Sequence, residues 1–273
     1  MSGSPSFFEE ILQRDRAIVT AALVALVVIA WFYLLWLTGN MFPGSTESMP
    51  GMNVQGTVLN PTSKPWAVSE LLVTFAMWSV MMIGMMTPSA APMILIYARV
   101  ARQAEMQGTP FASSAWFTAG YLLAWCGFAL LATLAQAALL SAMLITPALA
   151  PETDLFAAVV LIAVGLYQWS PLKNRCLSQC QAPLAFIQRH GGFRRSIQGS
   201  LSLGATHGLY CIGCCWALMA LLFVGGVMNL FWIAGLAAWV LLEKVVPPWA
   251  LMSRALGLVL IGAGIIFAFR TLM

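Results

Sequence analysis

Seven long apolar stretches dominate this sequence, at residues 17–37, 69–98, 114–144, 154–171, 202–225, 229–246 and 251–269, and formal charge is nearly confined to their ends and the segments between them. Crossing the hydrocarbon core of a bilayer takes about 20 apolar residues in a helix. Lipid offers the backbone no hydrogen-bond partner, so uninterrupted runs of this length must satisfy their own amides as helices. We therefore expect an all-α, polytopic transmembrane helical bundle of about seven spans, with six possible because 154–171 is near the lower limit of length. Only 8% of the 273 residues are charged and 61% are hydrophobic, against about 25% charged in soluble domains. Such a chain cannot clothe a water-facing surface, which excludes a soluble enzyme. Its net charge of +4 lies in connecting segments and not on a basic face, which argues against nucleic acid as a partner and leaves the lipid bilayer as the main one.

The run Ala17–Leu37 follows Arg14 and Arg16. It is too long for a secretory leader and no small-residue cleavage site follows, so it reads as a retained first span. A cytoplasmic N-terminus then puts Arg14, Arg16, Arg99, Arg102, Lys173, Arg175, Arg189, Arg194, Arg195, Lys244 and Arg254 inside, and only Lys64 and Arg270 outside. That bias is what the positive-inside rule requires. The expected organisation is a cytoplasmic segment 1–16 and one membrane domain 17–273, with an external loop 38–68 and a cytoplasmic loop 171–201.

Five of the six cysteines fall in two clusters. Cys176 and Cys180 follow the fourth span in SPLKNRCLSQCQAP. Cys211, Cys214 and Cys215 lie in THGLYCIGCCWALM, in the first half of the fifth span. This topology places both clusters toward the cytoplasm, where disulfides are disfavoured. On a helix, His207, Cys211, Cys214 and Cys215 stand at i, i+4, i+7 and i+8 and share one face. Cys176 and Cys180 are also one turn apart. Sulfurs from both segments would form a four-sulfur shell, or three sulfurs with the His207 imidazole, which suits Cu(I) or Zn²⁺ and less well an iron–sulfur cluster. Cys126, alone in the third span, reads as a small buried hydrophobe.

The second span contributes a different soft donor. In MWSVMMIGMMTPSAAPM, Met77, Met81 and Met85 form one helical row and Met82 and Met86 a parallel pair. Thioethers are weak ligands that favour Cu(I), although Met is equally a flexible core filler. Pro88 and Pro92 interrupt the same helix and free the carbonyls of Gly84 and Pro88, which side chains such as Thr87 and Ser89, water or an ion must satisfy. In the external loop, Met41, Met49 and Met52 offer a weaker soft-metal signal.

Glu243 and Lys244 end the sixth span before Pro247 and Pro248. They read either as interfacial charges or, for Glu243, as a bundle-facing group in ligation or proton handling. Asn229 is placed to cap the sixth helix after the turn at Gly225 and Gly226. No nucleophile elbow, P-loop, haem-attachment motif or H-E-x-x-H is present, and two histidines cannot build a His-rich catalytic centre.

The blocks MMIGMMTPSAAPM, YQWSPLKNRCLSQCQAP, HGLYCIGCCWALMALLFVGGVMNLFW and LLEKVVP, in this order over about residues 69–250, resemble a bacterial family of predicted metal-binding integral membrane proteins, catalogued as a membrane domain of unknown function. The resemblance implies Cys176, Cys180, Cys211, Cys214 and Cys215 as metal ligands. The expected function is handling of a soft metal in a bacterial inner membrane, Cu(I) before Zn²⁺, with an intramembrane stripe of Met81, Met82, Met85 and Met86 and a secondary role for Glu243. A metallochaperone or a larger membrane complex is the matching partner. Two alternatives stand beside it: a membrane thiol–disulfide oxidoreductase using Cys211 and Cys214, and an accessory subunit whose cysteines are structural.

Overall fold

The structure is a computed structural model that describes residues 7–41, 66–108, 113–146, 149–246 and 249–272. Met49, Met52, Lys64, Pro247 and Pro248, and the side chains of Arg14, Arg16 and Met41, lie outside the described residues. The described helices are α1 (Phe7–Met41), α2 (Val68–Met106), α3 (Ser114–Ser141), α4 (Asp154–Tyr167), α5 (Pro171–Gln181), α6 (Pro183–Arg189), α7 (Ile197–Ala220), α8 (Leu222–Gly225), α9 (Leu230–Val245) and α10 (Trp249–Leu272). Among the described residues the one β feature is an isolated bridge between Ile145 and Pro151.

Five helical stretches are long and apolar enough to cross a membrane: Ala17–Gly39, Val68–Met106, Ser114–Ser141, Ile197–Gly225 and Ala250–Thr271. The expectation of seven spans changes at two places. Residues 154–171 are not one rod: α4 stops at Tyr167, and the chain turns by 63° into α5, so the two are apolar enough to cross only as a bent pair, a broken span or a re-entrant loop. The turn has a local cause, because Pro171 opens α5 and Ser170 caps it, its Oγ accepting from Leu172 N at 3.1 Å. The stretch 229–246 forms a helix of only 16 residues, about 24 Å long, short of a full crossing. Its start follows the sequence, with Asn229 Oδ1 accepting from Trp232 N at 3.2 Å.

α2 extends past its expected end at 98 to Met106, where Arg102 and Glu105 pair at 3.6 Å on the exposed surface. Pro88 and Pro92 do not break it. Side-chain donors steady the turn around them: Thr87 Oγ1 donates to the Ile83 carbonyl at 2.6 Å and Ser89 Oγ to that of Met86 at 2.8 Å. The Tyr121 hydroxyl of α3 also donates to the Met86 carbonyl at 3.1 Å.

Glycines set the closest helix pairs. A Cβ on Gly120 of α3 would collide with the Leu201 carbonyl of α7, one on Gly204 of α7 with the Phe117 carbonyl of α3, and one on Gly208 would stand 2.6 Å from Ala124 Cβ. With so little hydrophobic drive between helices in lipid, backbone approach at small residues supplies the packing. Gly165 and Gly257 do the same for α4 and α10, the Cβ position of each lying 2.8 Å from the other's carbonyl oxygen.

The expected loop 171–201 is largely helix. α5 and α6 fold back against the bundle, burying Cys176, Leu177, Phe186 and Ile187. Lys173, expected as a loop charge, is fully buried, and Lys244 points inward.

Candidate metal centre

Cys211 sits where five helices meet. On α7 it is buried with Cys214, Cys215 and His207, the shared face expected from their spacing. Their thiols are turned inward along the helix: Cys214 Sγ and Cys215 Sγ donate to the Cys211 carbonyl at 3.0 and 2.9 Å. From α3, the Tyr121 oxygen lies 3.2 Å from Cys211 Sγ. From α9, Lys244 Nζ donates to Cys211 Sγ at 2.9 Å and to Ser89 Oγ of α2 at 2.8 Å. From α5, the half-buried Cys180 side chain packs against the same core, close to Cys211 and Cys214.

α5 delivers the second cluster because its position is fixed at four points. Cys176 Sγ occupies the space a side chain at Gly213 would need, 2.7 Å from that Cβ position. Tyr167, just before the bend, donates its hydroxyl to the Gly213 carbonyl. Lys173 donates to both Glu243 carboxylate oxygens, at 2.8 and 2.9 Å, and to Gln168 Oε1, while Gln181 Nε2 donates to the Glu243 carbonyl at 2.7 Å. Ser253 Oγ of α10 adds a bond to Glu243 Oε1 at 2.8 Å. Glu243 is thus buried and engaged with Lys173, Ser253 and Gln181. It holds α5 against α9, and its carboxylate faces an ammonium where a ligand role would need a metal. Gly213→Ala should push Cys176 away from α7 and cost about 1–3 kcal/mol of stability, read as a lower Tm of the detergent-solubilised protein.

His207 lies 2% exposed among the rings of Phe117, Tyr121 and Phe186. Its Nδ1 is buried without a hydrogen-bond partner. Met77, Met81, Met82, Met85 and Met86 are all buried in the same core, as is Met219 of α7. The Trp78–Phe223 ring contact at 5.5 Å puts one end of this methionine stripe beside α8. The Tyr121 bonds to Met86 and Cys211 put its other end beside the cysteines. Cys126 is half-buried and free.

The five clustered cysteines are all free thiols. As they stand, no three His, Cys, Asp or Glu side chains among the described residues are spaced as metal ligands. The α7 thiols are instead hydrogen-bonded to the helix backbone, Tyr121 and Lys244, an arrangement that becomes a ligand set only when protons leave and sulfurs rotate. Lys244, Tyr121 and Ser89 were not legible as members of the site. The one hint was a lysine inside an apolar stretch, which must find a partner or the interface.

A family model described as PpoB2, copper chaperone, matches residues 75–267, spanning the methionine stripe, both cysteine clusters and Glu243. No curated protein and no solved structure matches the chain.

Proposed function

Because the chain belongs to the PpoB2 copper chaperone family, we propose that it is an integral membrane protein that receives Cu(I) as cargo and hands it on through the cluster of Cys176, Cys180, Cys211, Cys214 and Cys215. The observation that carries this reading is the packing of α5 on α7, where Cys176 Sγ fills the space beside Gly213 and Cys180 lies close to Cys211 and Cys214, so that cysteines more than thirty positions apart in sequence come together. Thiolates are the preferred donors for Cu(I). His207, one turn from Cys211 with an unpartnered buried nitrogen, adds a second donor type at the same place. Zn²⁺ is the second cargo this donor set admits.

Lys244 has a definite task in this scheme. A Cu(I) ion bound by two thiolates leaves one net negative charge in a medium of low dielectric, where an uncompensated charge is costly. The ammonium beside Cys211 Sγ compensates it without blocking the other sulfurs. The methionine stripe, ending beside this point, offers weak thioether ligands by which an ion can step through the bundle. We place the cluster on the cytoplasmic side of a bacterial inner membrane, with the N-terminus cytoplasmic, supported by the positive-inside bias. A soluble metallochaperone or a larger membrane complex is the corresponding partner, and Glu243 acts by holding α5.

Anaerobic loading followed by metal analysis tests the site. The parent protein is expected to hold about one Cu(I) per chain, as soft thiolate sites do. The Cys211→Ser, Cys214→Ser double variant should hold almost none. Equal copper content in both would refute the assignment. Alkylation of the same samples separates the redox alternative: a reversible disulfide within Cys211–Cys215 in metal-free protein would favour thiol exchange over cargo binding.

A further inference from the structure

The two histidines of this chain flank one aromatic ring. Phe186 of α6, fully buried, lies 4.3 Å from the His190 ring and 5.1 Å from that of His207. Tyr210 closes one side, 5.7 Å from His190 and 5.9 Å from Phe186. His190 caps the end of α6 and is half-buried, whereas His207 is enclosed one turn before Cys211.

The hydrogen bonding of the two rings differs in a useful way. His190 Nδ1 lies 2.8 Å from the Phe186 carbonyl. A carbonyl only accepts, so Nδ1 carries the hydrogen, and in the neutral ring Nε2 keeps its lone pair. Metal-binding imidazoles are commonly oriented this way, one nitrogen donating to a backbone carbonyl and the other left for the metal. His207 supplies the inner counterpart: a buried Nδ1 with no partner, which folding leaves unsatisfied only at a cost.

We propose that His190 and His207 form an imidazole relay across Phe186, through which the cysteine site exchanges Cu(I) with a soluble thiol carrier at the α6 end of the bundle. The relay rests on the reading that the cysteines hold Cu(I). Each step is a ligand exchange in which copper stays Cu(I) and no electron moves. A copper–sulfur bond to the cluster breaks as a bond to a His207 nitrogen forms. Copper then passes to His190 Nε2 as the Phe186 ring turns aside, and finally to the carrier's sulfur. When the sulfur left behind is that of Cys211, the Lys244 ammonium remains its counter-charge.

The test mixes Cu(I)-loaded, detergent-solubilised protein with the chelator bathocuproine disulfonate under anaerobic conditions and follows the rate of copper transfer by absorbance. His190→Ala should load the same amount of copper but release it about tenfold more slowly, the lower end of what losing a partner of a metal ligand costs. His190→Cys, which restores a soft donor and not the imidazole's packing, should recover most of the rate. Release from His190→Ala at the parent rate, or no recovery in His190→Cys, overturns the relay while the Cys211→Ser, Cys214→Ser double variant still fails to load. If the double variant loads as the parent does, the cysteine site is wrong and the relay falls with it.

Discussion

Glu243→Ala is expected to cost about 3–5 kcal/mol of stability, the usual result of removing one partner from a buried ion pair. Lys173 is fully buried and Glu243 nearly so. Without the carboxylate, the Lys173 ammonium stays in a place where its other described partner is Gln168, and Ser253 loses the oxygen it donates to. The uncompensated charge, more than the lost attraction, sets the size of the effect. A Lys173→Met, Glu243→Met double variant should recover much of the loss, since apolar groups of similar volume often replace a buried pair without penalty. Thermal unfolding in detergent micelles reads both variants. The same experiment has a functional arm. Glu243 holds α5 at Lys173 through its side chain and at Gln181 through its carbonyl, with Cys176 and Cys180 between. Glu243→Ala should therefore bind less Cu(I) even below its Tm. A Glu243→Ala protein that melts like the parent would show that the pair does not hold α5.

Gly204→Val is expected to separate α3 from α7 and lose both stability and the copper site. The Cβ of any residue at 204 falls on the Phe117 backbone carbonyl, and backbone cannot swing aside as a side chain does. Overpacking of this kind costs about 1–3 kcal/mol where side chains can yield, so a clash with backbone belongs at or above that range. The same displacement pulls Tyr121 from Cys211, now 3.2 Å apart. Leu209→Val, on an exposed side chain of the same helix, is the control and should change neither Tm nor copper content. Parent-like copper loading in Gly204→Val would mean that the α3–α7 contact does not shape the centre.

Much of this architecture was legible in the chain. Long apolar runs dictated helices, because lipid leaves the backbone no other way to satisfy its amides. The i, i+4, i+7, i+8 spacing dictated that His207, Cys211, Cys214 and Cys215 share a face, because helical geometry alone decides it. The buried face of α2 carrying Met77, Met81 and Met85 follows from the same period. What the sequence could not dictate was which neighbour covers a face. Residues 171–201 carry enough charge to read as a cytoplasmic loop. Yet Lys173 is buried because Glu243, 70 positions away, neutralises it, and a pairing at that separation leaves no local pattern. Pro88 and Pro92 looked like a break and are not one: α2 runs through both from Val68 to Met106, with Tyr121 of another helix bonded to its Met86 carbonyl. Periodicity thus determined the stripe of sulfur on α7. Only tertiary packing, through glycines that admit backbone contact and a buried ion pair that holds α5, decided that Cys176 and Cys180 would lie beside it.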